Sequence, residues 1–428
     1  MATLSRSQPE LGARPAAAGT GLTGASPAPR PTSPPNVLAA APSPHGVLAE
    51  TAPAGRELGF YIHMPFCAKR CYYCSFNTAP MDAGAMLRYL GALHREVELL
   101  STLPWAGDVT LATVFFGGGT PSLLAADEVA EILAALRTRF PVVADAEVTV
   151  ECNPESVSRE KFEGYRQAGV NRISLGIQSL DDTLLPRLGR LHSARDARAA
   201  FEAARAAGCA NVSVDIMYGL PGLDLAGWTG AVQRVLDWQP DHLSAYGLTL
   251  DAGSLWGVTG VAGLPPEGLV VEQYWALARA ATAHGFEHYE VSNYARPGFR
   301  SRHNQIYWRA AEYLAAGPGA CAFVGDVRCG NAKPVPRYCE TLERGALPIA
   351  ESERLTPRQR LGERLILGLR TADGVPAGWL TERLAGDPAR QGRVDDWERA
   401  GLLARTGARV ALSEAGFLVS DALFVELL

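Results

Sequence analysis

"LGFYIHMPFCAKRCYYC", Leu58 to Cys74, sets a short apolar run directly against a loop holding three cysteines, Cys67, Cys71 and Cys74. The run Leu58–Met64 is β-rich and lacks helical spacing, so it reads as a buried strand with the cysteines just past its C-terminal end. Runs of the same kind recur at 113–118 ("TVFFGG"), 147–152 ("EVTVEC"), 172–177 ("RISLGI"), 211–217 ("NVSVDIM") and 242–248 ("HLSAYGL"). Between them lie 83–101, 125–139, 158–168, 193–207 and 226–238, rich in Ala, Leu, Glu and Arg at helical spacing. Strand, helix, strand in this repetition gives parallel pairing with right-handed crossovers. The expected fold is α/β: a partial (β/α)6 TIM-like barrel over 57–285, followed by a smaller, mainly helical C-terminal region over 286–428.

In such a barrel the chemistry gathers at the C-terminal ends of the strands. His63 and Cys67 follow the first strand, Gly117 to Thr120 the second, Glu151 the third, Gln178 the fourth and Asp215 the fifth. After about residue 285 the alternation fades. "FEHYEVSNYA" reads as one more strand and "SRHNQIYW" as a loop, while 356–370 is helical and the closing "VALSEAGFLVSDALFVELL" reads as a hairpin and helix of winged-helix type.

The chain has 428 residues, 47% hydrophobic and 20% charged, the balance of an ordinary globular protein of two to three domains. No apolar stretch is long enough to span a bilayer. A formal net charge of -5 gives no broad attraction for a polyanion, so nucleic acid is not an expected partner. Residues 1 to about 56 are rich in Ala, Pro, Ser and Gly, and read as an unstructured extension rather than a transit peptide or secretion signal.

Cys67, Cys71 and Cys74 stand apart from the scattered Cys152, Cys209, Cys321, Cys329 and Cys339. This is no disulfide framework; it indicates a reducing compartment and a metal or redox site at the cluster. Three thiolates spaced Cys–x3–Cys–x2–Cys can wrap one face of an iron–sulfur cube and leave its fourth iron open. The rival is zinc, with His63 or a distant cysteine as fourth ligand. Structural zinc usually draws on paired Cys–x2–Cys knuckles, and a second knuckle is lacking.

"CAKRCYYC" resembles the CxxxCxxC signature of radical S-adenosylmethionine (SAM) enzymes. "FFGGGTPSLL", "NRISLGIQS", "LGRLHS", "VDIMYGLPG", "HLSAYGLTL", "YEVSNYA" and "HNQIYW" follow in the order of the HemN/HemW group, and "LILGLR" extends the likeness towards the C-terminus. The resemblance implies a radical SAM barrel with a [4Fe-4S] cluster on Cys67, Cys71 and Cys74. It implies SAM contacts from Gly118, Gly119, Thr120, Glu151, Gln178, Arg190 and Asp215, with Tyr61 and Tyr73 flanking the cofactor. A carboxylate can accept from ribose hydroxyls or an ammonium, and arginine can grip a carboxylate in a fork.

The group holds two activities. Oxygen-independent coproporphyrinogen III oxidases carry a further cysteine two residues past the third, where this chain has Phe76; the chaperone type resembles this chain in having Phe there and in an HNxxYW motif, here His303, Asn304, Tyr307 and Trp308. The implied function is that of a cytoplasmic heme chaperone that delivers heme to respiratory acceptors, with peripheral membrane contact left open. The alternatives are the oxidase and a radical SAM enzyme on an unrelated substrate. His303 is the candidate heme contact, against the reading of a packed-loop histidine bonded to backbone. Two departures bear on it: Ser301 stands where relatives often have cysteine, and Cys321 where they have histidine. Cys321 then either substitutes as a thiolate or the ligation differs here, with a buried structural cysteine as the plainer reading.

Overall fold

The computed structural model describes residues 46–427. The expectation of an unstructured extension over 1–56 therefore lies mostly outside the described residues. Its last part has a defined place. Gly46–Glu50 forms a 3-10 turn, and Leu48 is buried and its carbonyl accepts a hydrogen bond from Trp105 Nε1 at 3.0 Å. Glu312 accepts the amides of Ala54 and Gly55. The packed chain thus begins ahead of residue 57, because one apolar side chain and these bonds tie it down.

The six expected strands form β1 (Glu57–Met64), β2 (Thr110–Gly118), β3 (Val142–Cys152), β4 (Arg172–Gln178), β5 (Val212–Tyr218) and β6 (His242–Gly247), each parallel to the next. Both faces of these strands are largely covered, which is why they read as apolar runs rather than alternating ones. The crossovers are α1 (Ala83–Ser101), α2 (Ala126–Arg139), α3 (Arg159–Ala168), α4 (Ala194–Ala206) and α5 (Leu225–Asp237). Asp82, Ser158, Ser193 and Asp224 cap four of them by accepting an N-terminal amide.

The sheet does not end at β6. "FEHYEVSNYA" makes two strands rather than one, β7 (Glu287–Glu290) and β8 (Asn293–Ala295), an antiparallel pair laid on β6. At the other edge β9 (Tyr313–Ala316) runs parallel to β1 and is followed by antiparallel β10 (Cys321–Val324), β11 (Val327–Asn331) and β12 (Ile349–Arg354). The order is β12-β11-β10-β9-β1-β2-β3-β4-β5-β6-β8-β7, twelve strands in one open sheet. Residues 287–354 thus extend the barrel's own sheet, and packing does not break at 285.

A second correction concerns "SRHNQIYW". It is a helix, α6 (Arg302–Trp308), whose N-cap Ser301 accepts the Asn304 amide at 3.3 Å. Its sequence is poor in strong helix formers. The helix is held instead by burial of His303 and by Glu147, which accepts the amides of Arg302 and His303.

A separate apolar cluster, including Leu365, Leu369, Val375, Leu380, Trp397, Val410 and Phe417, forms the C-terminal core. It is built from α7 (Pro357–Leu369), α8 (Ala377–Leu384), further helices, and a hairpin of β14 (Leu403–Thr406) and β15 (Arg409–Leu412) beside the short β13 (Val375–Pro376). The helices Glu414–Leu418 and Ser420–Leu427 follow the hairpin.

Candidate functional site

The cysteine loop is fastened by bonds that involve no thiol. Phe66–Cys67 pairs in parallel with Ala79–Pro80, which closes the loop at its base. The Tyr72 amide donates to the Leu188 carbonyl at 3.1 Å, and Arg70 donates to the carbonyls of Cys74 and Gly253. Ser75 Oγ donates to Asp251, and Asn77 Nδ2 to the carbonyls of Pro318 and Lys333. The backbone of Cys71 packs so closely on Gly189 that a Cβ there would sit 3.2 Å from its Cα.

The same crowding explains the glycines at the end of β2. Gly118 has φ +109°, and a Cβ on it would meet the His63 ring at 2.6 Å; one on Gly119 would meet the Phe66 carbonyl at 2.6 Å. These glycines let the end of β2 lie against the cysteine loop. Their amides are also engaged: Gly118 donates to Glu151 Oε2 at 3.1 Å, Gly119 to the Met64 carbonyl and Thr120 to that of Phe66.

One cleft at the C-terminal ends of the strands, about 320 Å³ in volume, has on its wall Cys67, Cys71 and Cys74 together with Tyr73, Gly118, Gly119 and Thr120. Glu151, Gln178, Arg190 and Asp215, also expected from the sequence, share that wall. The volume lies at the lower end of the range for small-molecule sites, about 300–1,000 Å³. Among the described residues no group of three His, Cys, Asp or Glu side chains is arranged to hold a single metal ion. A cube takes each thiolate at a separate iron, so three thiols on one wall can each serve a different iron.

The polar groups divide by charge. Arg190 is buried; it donates to the Gly176 carbonyl at 2.6 Å and Asn153 Oδ1 at 2.8 Å, points Nη1 at Cys71 Sγ at 3.7 Å, and leaves Nε without a partner. Opposite stand two carboxyls. Burial and the like charge of Asp215 push Glu151 up to about 8. Burial also raises Asp215, against hydrogen bonds from Ser244, Ser174 and Ser213. Arg172, also buried, lowers both carboxyls but does not offset their burial. A buried cation with an unused N–H facing the same cleft as two carboxyls suits a zwitterion carrying hydroxyls. The residues present therefore fit SAM beside a cluster. Burial raises the Cys67 thiol, while a hydrogen bond with Thr120 lowers it.

Two expected site residues are not on this wall. Tyr61 lies in β1 with its ring stacked near Phe115 and His303, centroids 6.2 and 6.4 Å away, and its hydroxyl against His63 Nδ1. His303 is fully buried inside the barrel. Its Nδ1 is 2.7 Å from Thr113 Oγ1 and its Nε2 is 2.8 Å from the Tyr307 hydroxyl, so neither ring nitrogen is free. As packed it is a core histidine with both ring nitrogens engaged by protein groups. Cys321 proves exposed rather than buried, and does not line the cleft. Ser301 serves as the cap of α6.

Sequence reading passed over Asn153 and Tyr246, which also line the cleft. Asn153 joins Arg190 to Thr120 Oγ1. Tyr246 stands at the end of β6. The rule that found five strand ends, applied to the sixth, would have found it.

Residues 61–233 match the radical SAM superfamily and residues 355–419 the HemN C-terminal domain. The chain is 32% identical over 370 residues to the heme chaperone HemW of Bacillus subtilis, spanning 85% of this chain and 97% of that protein. It is 37% identical over 380 residues to the heme chaperone HemW of Mycobacterium tuberculosis, spanning 87% and 95%. Among solved structures, the radical SAM coproporphyrinogen III oxidase HemN of Escherichia coli superposes with a TM-score of 0.78 at 21% identity, over 89% of this chain and 92% of that one. That likeness concerns the fold.

Proposed function

The chain belongs to the HemW family of heme chaperones in the radical SAM superfamily, and from that premise we propose that it binds heme and delivers it to respiratory acceptor proteins. In this reading Cys67, Cys71 and Cys74 hold a [4Fe-4S] cluster with SAM beside it. Bound there, the cluster would supply a one-electron centre with one open iron. Arg190 grips the carboxylate of SAM, Glu151 and Asp215 receive its ammonium and ribose hydroxyls, and the Gly118 to Thr120 turn holds the floor against the cysteine loop. The proposed location is the cytoplasm, where free thiols persist; all eight cysteines are unpaired, and among the described residues no helix is long and apolar enough to cross a membrane.

The observation that carries the chaperone reading over the oxidase is Phe76. It stands on the rim of the cleft, 62% exposed, where the oxidase type has a thiol. The one further cysteine on the wall, Cys152, is buried with its thiol pushed up by burial, and makes a poor replacement. The test uses one anaerobic preparation for two assays. Heme is expected to bind with a shifted Soret band, and coproporphyrinogen III with SAM and a reductant is expected to release no CO2. Catalytic release of CO2 would transfer the protein to the oxidases.

SAM binding is expected to depend on pH through Glu151. In the free protein its carboxyl holds a proton up to about pH 8, whereas a bound cation favours the carboxylate. Binding below that value therefore releases a proton, and affinity rises with pH up to about 8, then levels. Calorimetry in two buffers of different ionisation enthalpy reads the released proton directly. Glu151→Gln is expected to remove the proton release, and an unchanged release would move the assignment elsewhere.

A further inference from the structure

A second cavity, about 270 Å³, lies between α6 and the C-terminal core and takes no part in the cleft. Four arginines line it: Arg300, Arg309, Arg364 and Arg409. Only Arg300 is neutralised, by Glu287 at 2.9 Å and Asp373 at 3.1 Å. Arg309 donates to Gln305 Oε1, and Arg409 to the carbonyls of Asp373 and Gly374. The Arg364 guanidinium lies over the Trp379 ring, 5.6 Å from its centre. Among the described residues none of these three has a carboxylate partner.

Three unpaired cations facing one cavity repel one another, an arrangement that an anion relieves. Burial and nearby Arg360 both lower the Arg364 pKa, as expected of a cation held among like charges. The wall also carries two indoles, Trp379 from α8 and Trp308 at the end of α6, both half-buried, and a single carboxylate, Asp373, which is already paired with Arg300. The HNxxYW helix therefore works in two directions. His303 and Tyr307 face the barrel interior, and Trp308 with Arg309 faces this cavity.

A ligand that uses both features is flat, apolar on its faces and carries carboxylates on its edge. Guanidinium forks match carboxylates, and indole faces match an aromatic ring. The wall has no histidine, cysteine or methionine, and the Tyr289 hydroxyl is engaged with His242 Nε2 at 2.8 Å. The one carboxylate on the wall, Asp373, is taken up by Arg300, so the cavity offers no free soft or imidazole ligand for a heme iron, and it is too small for a whole macrocycle.

We propose that this cavity receives the carboxylate edge of a tetrapyrrole, with Arg309, Arg364 and Arg409 on the propionates and Trp308 and Trp379 against the ring. The inference rests on the heme-binding reading above and adds a site to it. Recognition here is of the porphyrin's periphery and is independent of its iron.

The experiment titrates the full chain with metal-free protoporphyrin IX and with its dimethyl ester, followed by tryptophan quenching. The free acid is expected to bind at least about tenfold more tightly than the ester, about 1.4 kcal/mol. Arg309→Gln combined with Arg409→Gln is expected to remove most of that preference; both side chains are exposed, and thermal unfolding checks the fold. Arg309→Gln alone, the more conservative change, is expected to remove part of it. Equal binding of acid and ester, or an unchanged preference in the folded variants, overturns the cavity assignment. If heme binds the wild type and both variants alike, only this site falls. If the wild type binds neither heme nor porphyrin, the chaperone reading falls with it.

Discussion

Alanine at Cys67, Cys71 and Cys74 together is expected to leave the anaerobically reconstituted protein with almost none of the about four irons per chain that one cubane holds, and without its charge-transfer absorbance. The fold is expected to survive. The loop is held by the strand pair at Phe66–Cys67, by the Tyr72 amide on Leu188, and by the side chains of Arg70, Ser75 and Asn77, none of which needs a thiol. Iron content and thermal unfolding measured on the same sample separate the two effects. A folded triple variant that keeps its iron would place the cluster on other residues; one that loses iron only by unfolding would make the cysteines structural.

The second large effect is on stability, at the residue that the sequence offered for heme. His303→Ala removes a fully buried ring stacked 5.0 Å from Phe115 and leaves Thr113 Oγ1 and the Tyr307 hydroxyl without their partner. Each orphaned buried group costs about 1–3 kcal/mol, and the cavity adds to that, so a loss of about 3–5 kcal/mol is expected in denaturant unfolding. Heme affinity and Soret position of the folded fraction are expected to stay unchanged. A variant of full stability that loses its heme spectrum would restore His303 as a ligand.

The same ring has a signature in acid. Burial, reinforced by Arg172, pulls His303 down to about 3. Between that value and the unfolded value of about 6.5 the unfolded chain binds more protons, so this group's contribution is present above about pH 6.5 and is lost as pH falls towards 3. The His303→Ala variant should therefore show a shallower loss of stability on acidification.

The barrel was legible because its information is local. Each strand from β1 to β6 is an apolar run covered on both faces, and each crossover helix opens and closes near the residues that its spacing marks. The cleft was legible for the same reason. Parallel strands bring all their C-terminal ends to one rim, so Cys67, Gly118, Glu151, Gln178 and Asp215 could be gathered without knowing a single distance.

Other features depend on contacts between distant segments, and only the tertiary structure decided them. Whether 287–354 begins a new unit or extends the sheet depends on β9 finding the free edge of β1, a pairing that no local pattern encodes. Whether α6 is a loop depends on Glu147, which accepts its first amides from across the barrel. Once α6 is a helix, its turn points His303 and Tyr307 inwards and leaves Trp308 beside Arg364 and Trp379. The sequence alone determined the six parallel strands, their five crossover helices and the chemistry at the strand ends, because periodicity and spacing follow from neighbouring residues. The tertiary structure decided which face of each element meets which partner, because burial and charge at one residue are set by side chains far from it in the chain.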